Sequence, residues 1–285
     1  MSEATWFWPA LLGLLGAALG SFIATLAIRW PEGRSVARGR SHCDGCGKAL
    51  GAGELVPVLS YIVQRGRCRS CGAAIRPSHV LTELAAIAIG VAAGLAAPGI
   101  EGVAGAVFGW LLLALAALDL AAFWLPNILT GALALAGLAV GLSGWVPPSP
   151  EGIGFDAFSG LKPDLVERLI GGAAGFASLW LVAMLYRRVR GRHGLGGGDP
   201  KMFGGIGLWL GWKALPIVLL AACLVGLVSV LGMALLRHRV HGTVRLPFGA
   251  MLAIGAFGIW LAMTLAPPPL TYGSVIELKI EQSGR

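Results

Sequence analysis

Seven apolar runs of roughly bilayer-spanning length mark this chain, at 6–28, 80–97, 102–118, 126–146, 168–186, 214–236 and 248–266. About 20 apolar residues in a helix match the hydrocarbon thickness of a bilayer. An eighth, shorter stretch at 202–212 lies between Asp199 and Lys213 and reads as a short or tilted helix. Charged residues make up only 13% of the 285, against about 25% in soluble domains. The mean hydropathy is +0.77. No soluble fold of this size could bury so much apolar surface and still cover itself with polar groups. An ordinary cytoplasmic enzyme, a disordered chain and a nucleic-acid module are excluded. The expected fold class is an all-α polytopic membrane protein with about eight transmembrane segments.

The basic residues test that count. The net charge is +8. The segments 29–79, 187–201 and 237–247 fall on one side under an eight-segment topology and hold 17 of the 22 Lys and Arg residues. The remainder are Lys162, Arg168, Lys213, Lys279 and Arg285. Positive loops stay in the cytoplasm, so the rich side is cytoplasmic and both termini are expected outside. Without the short segment, 237–247 would fall on the wrong side. The first run lacks a basic n-region and a small-x-small cleavage site, and reads as a retained helix.

The chain divides into four regions: a first transmembrane helix over 1–28, a cytoplasmic polar segment over 29–79, transmembrane segments 2–8 over 80–266, and a polar tail over 267–285. The outer loop 147–167 is rich in Pro and Gly and reads as irregular. The 44 glycines include GxxxG spacings at Gly16/Gly20 and Gly171/Gly175, which suit close helix packing.

The segment 29–79 carries Cys43-x-x-Cys46 and Cys68-x-x-Cys71, with 21 residues between the pairs. This is the spacing of a four-thiolate zinc ribbon. Two intervening residues let one turn present both sulfurs, and Gly45, Gly47 and Gly72 allow tight turns. A segment this short has little core, so a metal staple is the expected source of its order. Two disulfides are the competing reading, which a reducing cytoplasm disfavours. With four thiolates in place, the metal would be structural. Cys223 lies in an apolar run and reads as a packed free thiol.

Acidic residues beside apolar spans call for a reason. Three stand out: Glu83, Asp119 and Asp199. Asp119 ends the third span, before Leu125-Pro126-Asn127. Asp199 opens the short segment, after Gly196-Gly197-Gly198. The topology puts both at the cytoplasmic face, 80 residues apart in sequence. Two carboxylates meeting in a low-dielectric site share one proton: the ionised one activates water and the protonated one polarises a peptide carbonyl. The glycine run would let a backbone approach closely or take unusual dihedrals. A phosphate loop is excluded, because GxGxxG would need glycine at Asp199 and no GK[ST] comes after it. Each aspartate alone also reads as a cap or interface residue. Glu83 reads as a cap, an ion partner or a substrate contact.

In this order the motifs resemble those of the type IV prepilin peptidases, the bifunctional leader peptidase/N-methyltransferases. The likeness runs from Gly20 to about Ala250. It is carried by Gly20-Ser21-Phe22 with Arg29 and Pro31, and by Arg40-Ser41-His42-Cys43. Pro57-Val58-Leu59-Ser60-Tyr61, Arg65-Gly66-Arg67-Cys68, the two aspartate motifs with Lys201, and Pro247-Phe248-Gly249 continue it. The resemblance implies an inner-membrane aspartic endopeptidase of the GxGD type, with Asp119 and Asp199 catalytic. Gly196, Gly198, Lys201 and Glu83 would support loop or substrate, and Cys43, Cys46, Cys68 and Cys71 would bind zinc. It implies prepilins and pseudopilins as substrates, cut typically between Gly and Phe. It implies S-adenosylmethionine as methyl donor, at a site no motif reveals. Membrane lipid is an expected partner and nucleic acid is not. A transporter or assembly scaffold with a structural zinc ribbon is the alternative.

Overall fold

A computed structural model of the chain describes residues 4–36, 41–43, 45–143, 163–192, 194–236 and 246–265. Arg38, Arg40, Lys162, residues 147–162 of the expected outer loop, residues 237–245 and the tail from 267 lie outside the described residues. The described part is helical. In chain order it comprises α1 (Ala4–Arg29), a 3₁₀ turn (Ala52–Glu54), α2 (Leu59–Val63), α3 (Pro77–Ala96) and α4 (Ile100–Ala122). Next come α5 (Asn127–Leu142), α6 (Leu165–Arg190), α7 (Asp199–Leu210), α8 (Leu215–Leu235) and α9 (Phe248–Leu265). Only two isolated β-bridges occur among the described residues.

Every apolar run of the sequence is a helix. Six of them, α1, α3, α4, α6, α8 and α9, are long and apolar enough to cross a membrane. The other two are short. α5 has 16 residues and α7 has 12, or about 24 and about 18 Å at 1.5 Å per residue. The ends are set by local chemistry. Pro126 precedes the first turn of α5. Asp164 caps α6, its Oδ1 accepting the Glu167 N–H at 2.7 Å, and Arg187, Arg188 and Arg190 fill the last turn. These side chains complement the helix dipole at both ends.

Helix α7 can be short because protein surrounds it. Ten of its twelve residues are buried. Glycines let backbones touch: a Cβ at Gly207 would lie 2.2 Å from the Gly171 carbonyl oxygen of α6. The α1–α3 pair meets in the same way, with Gly16 against Ala86 and Gly90 against Leu12. Trp209 stacks on Phe108 at 4.8 Å and donates its Nε1–H to the Leu133 carbonyl at 2.8 Å. By contrast α6 and α8 turn most of their apolar surface outward, including Trp180, Val182, Leu227 and Val228. Such a belt suits lipid rather than water. Cys223 belongs to that belt: it is a free thiol, exposed on α8 rather than packed as the sequence suggested.

Arg168 has 2% of its surface exposed. Its Nη1 donates to the carbonyls of Trp209 at 2.8 Å and Leu208 at 3.3 Å, and its Nε to Pro163 at 3.3 Å. The orphan carbonyls at the end of a buried helix require such a partner.

Replacing Gly207 by Val forces the α6 and α7 backbones apart and is expected to cost at least about 1–3 kcal/mol. Thermal unfolding in detergent, followed by circular dichroism, should show a clear drop in Tm. Gly232→Ala, where a Cβ meets nothing within 4 Å, should not lower it.

Candidate active site

One end of the bundle collects the polar groups that a membrane helix would otherwise exclude. Asp119 lies in the last turn of α4, which closes at Phe123 in the left-handed region (φ 51°, ψ 40°). Asp199 is the first residue of α7. Both are 5% exposed.

Each carboxylate is held by backbone. The Ala250 N–H, in the first turn of α9, donates to Asp119 Oδ2 at 3.0 Å. The Gly196 N–H donates to Asp199 Oδ2 at 2.9 Å. The first N–H groups of a helix have no internal acceptor, and that end carries the positive pole of the dipole. Asp119 meets the start of α9, and Asp199 occupies the start of α7. The two carboxylates are close enough for the charge of Asp119 to act on Asp199.

Leu125 packs against a glycine beside each of them. A Cβ at Gly198 would lie 2.5 Å from its Cβ, and a Cβ at Gly249 would lie 3.1 Å from its Cδ1 and 3.0 Å from Asp119 Oδ2. The glycine run therefore acts through space. None of Gly196, Gly197 and Gly198 has a positive φ, so the unusual dihedrals expected from the sequence are not adopted. Lys201 donates from Nζ to Asn127 Oδ1 at 2.7 Å, joining α7 to α5. The sequence offered Asn127 only as part of a motif and no sign of this partner.

The cysteine segment forms two matching knuckles. The Cys43 N–H donates to the Lys48 carbonyl and the Gly47 N–H to the Cys43 carbonyl. Cys68 with Ala73 and Gly72 repeats both bonds. The bridges His42–Ala49 and Arg67–Ala74 close the two turns. Gly47 (φ 70°) and Gly72 (φ 72°) hold equivalent left-handed positions, which glycine takes without strain. Gly45 has no positive φ; a Cβ there would strike Ala73 at 2.8 Å.

The four sulfurs lie within 4.8 Å of one another, with Cys43 and Cys71 3.8 Å apart. A tetrahedral ion bonded to four sulfurs at about 2.3 Å spaces them about 3.8 Å apart. The cluster can hold a metal ion, and its cysteines are free thiols. N–H groups of Cys71 and Ser70 aimed at Cys68 lower its thiol to about 7. Cys71 feels a similar pull from the Ala73 N–H. The neighbouring thiols of Cys46, Cys68 and Cys43 outweigh it and push Cys71 up to about 11.

Glu83 is 8% exposed in α3 and ties this segment to the bundle. Its Oε2 accepts the Val58 N–H at 2.7 Å. Val58 has φ 61°, costly for a β-branched residue, so the bond helps hold a strained turn. Beneath the knuckles lies a cavity of about 200 Å³, lined by α1, α3 and the cysteine segment. Trp30, just beyond Arg29, packs edge-on against Trp124 with ring centres 5.4 Å apart, linking this region to the loop after Asp119.

Comparison with known proteins gives two family matches. Residues 14–97 match the bacterial peptidase A24 N-terminal domain, and residues 106–231 match the type IV leader peptidase family. A Burkholderia pseudomallei (strain 1026b) protein named prepilin leader peptidase/N-methyltransferase is 42% identical over 219 residues, covering 76% of this chain. The chain spans 65% of that relative's length. Proteins of the same name from Klebsiella pneumoniae and Dickeya chrysanthemi are 37% and 33% identical. They cover 78% and 90% of this chain, which spans 93% and 90% of their lengths. No solved structure matches the chain.

Cys46→Ser removes one of the four sulfurs. Elemental analysis of reduced, detergent-purified protein is expected to find about one metal ion per wild-type chain and far less in the variant. Equal metal in both would separate the cluster from metal binding.

Proposed function

This chain belongs to the type IV leader peptidase family, and from that premise we propose that it is an intramembrane aspartic endopeptidase acting on type IV prepilins and pseudopilins. The observation that supports this reading is that two buried carboxylates, Asp119 and Asp199, from helices far apart in sequence, come near enough for the charge of one to act on the other, with Leu125 packed against the glycines beside both. They share one proton between them. The ionised carboxylate takes a proton from water as its oxygen attacks the scissile carbonyl carbon. The protonated one donates a hydrogen bond to the carbonyl oxygen, where negative charge develops. Collapse of the tetrahedral intermediate returns a proton to the departing amine. The backbone bonds from Ala250 and Gly196 orient the pair. Leu125 supplies an apolar wall that limits water. Glu83, Lys201, Gly196 and Gly198 support the loops around the dyad.

The bond cut is placed at the cytoplasmic face of the inner membrane, between a short basic leader and the mature chain, typically Gly–Phe. The bias of 17 of 22 basic residues to one side supports that placement. The cysteine segment, Asp119 and Asp199 also gather at one end of the bundle. With both termini outside, the chain divides into a first helix (1–28), a cytoplasmic zinc-binding segment (29–79), a catalytic membrane domain (80–266) and a tail (267–285).

Cys43, Cys46, Cys68 and Cys71 would hold zinc, which fits a set of four thiolates at this spacing. All four ligand positions are protein, so the ion would order the segment rather than bind substrate. The names of the relatives add an N-methyltransferase activity, which would act on the new terminus with S-adenosylmethionine supplying the methyl group. The alternative, a transporter or assembly scaffold with a structural zinc ribbon, is not favoured by the family match or the names of the relatives.

Asp119→Asn and Asp199→Asn keep the shape of each side chain but remove its acid–base chemistry. Each is expected to slow leader removal from a model prepilin by at least about a hundredfold, with thermal unfolding unchanged. Mass spectrometry of the product reads the outcome. Cleavage at the wild-type rate by either folded variant would overturn the dyad.

A further inference from the structure

The cavity beneath the knuckles is lined by two buried side chains of opposite charge. Arg29, in the last turn of α1, is 9% exposed, and Glu83 of α3 is 8% exposed. They form no ion pair with each other among the described residues. The Arg29 guanidinium has five N–H donors. Its one side-chain contact among the described residues is a long approach of Nη2 to His42 Nδ1 at 3.5 Å. Glu83 spends Oε2 on the Val58 N–H and makes no other hydrogen bond among the described residues. Burying a charge without a close counter-charge is costly. Two such groups facing one space favour a ligand that brings both signs. Ser60 and Tyr61 add hydroxyl groups to the lining.

We propose that this cavity binds the amino-acid end of the methyl donor S-adenosylmethionine, with Arg29 on its carboxylate and Glu83 facing its cationic ammonium and sulfonium groups. The proposal rests on the reading of the chain as an N-methyltransferase as well as a peptidase. A small zwitterion would give each of the two buried groups a partner; the other charged lining residues, Glu54 and Arg76, are half-buried and exposed. A planar guanidinium grips a carboxylate through paired, charge-assisted bonds, and a buried carboxylate complements a cation that cannot lose its charge. One chain link joins the cavity's edge to the loop that leaves the dyad helix. Arg29 immediately precedes Trp30, whose ring meets Trp124 in the loop after Asp119. Glu83 would join two tasks, since its bond to Val58 shapes the turn that roofs the cavity. The knuckles would then order a wall of the donor site, giving the proposed zinc a reason to sit in a peptidase.

The test measures binding apart from turnover. Full-length protein in detergent is titrated with S-adenosylmethionine and with its decarboxylated analogue, using equilibrium dialysis of labelled compound. The wild type should bind the parent compound at least about tenfold more tightly than the analogue. Arg29→Gln should weaken the parent and leave the analogue unchanged, abolishing the preference, and Arg29→Lys should restore part of it. Glu83→Gln should weaken both. A wild type that binds the two compounds equally overturns the proposal without any variant. Arg29→Gln that keeps the preference, with melting temperature and metal content retained, overturns it too. Leader cleavage by the same wild-type sample, with no donor bound at any concentration, would sink the donor site and leave the peptidase reading standing.

Discussion

A buried helix end must find partners for its backbone inside the protein, and the short helix α7 is built around that requirement. It is too short to reach both faces of a bilayer, so its last carbonyls cannot rely on interfacial water. Arg168 meets two of them. Its charge costs desolvation, which the dipole at a helix C-terminus and three carbonyl bonds offset. With that end held and Gly171 against Gly207, α7 has little freedom to slide along α6. Its first residue is Asp199, so the depth of one carboxylate is set by an arginine at the other end of the helix.

The same constraint, applied at helix starts, explains the rest of the dyad. The first turn of α9 offers the Ala250 N–H to Asp119. The glycine run before α7 offers the Gly196 N–H to Asp199. Two unfavourable features, bare donors and buried carboxylates, cancel. Leu125 then fills the space beside Gly198 and Gly249, and side chains larger than hydrogen there would displace the acids. Packing and chemistry use the same atoms.

The cysteine segment depends on a different source of order. Among its described residues almost no apolar one is buried: Cys68 is, while most of its larger side chains are half or fully exposed. Two turns of identical hydrogen-bond pattern bring four sulfurs together, and Glu83 fastens the assembly to α3. Its proximity to the dyad comes through α1, whose end carries Arg29 toward the cavity and Trp30 toward Trp124.

The sequence by itself determined the elements: spanning runs, the clustering of basic residues between them, the two cysteine pairs and the rare acids. Those are local properties, written in hydropathy, charge and spacing within a few tens of residues. It also marked α7 as short, though not how a short helix survives. Tertiary structure alone decided which groups meet. Arg168 reads in sequence as one more basic residue, and Asn127 as one more polar one. The Ala250 N–H donates to an acid 131 positions away. The glycines before Asp199 suggested close approach and unusual dihedrals; only the close approach is realised, and its partners are Leu125 and Asp199. Cys223 suggested packing, yet faces outward, because hydropathy reports how apolar a helix is and not which side meets protein. Contacts between distant segments arise from the shapes of assembled helices, and no pattern along the chain encodes them.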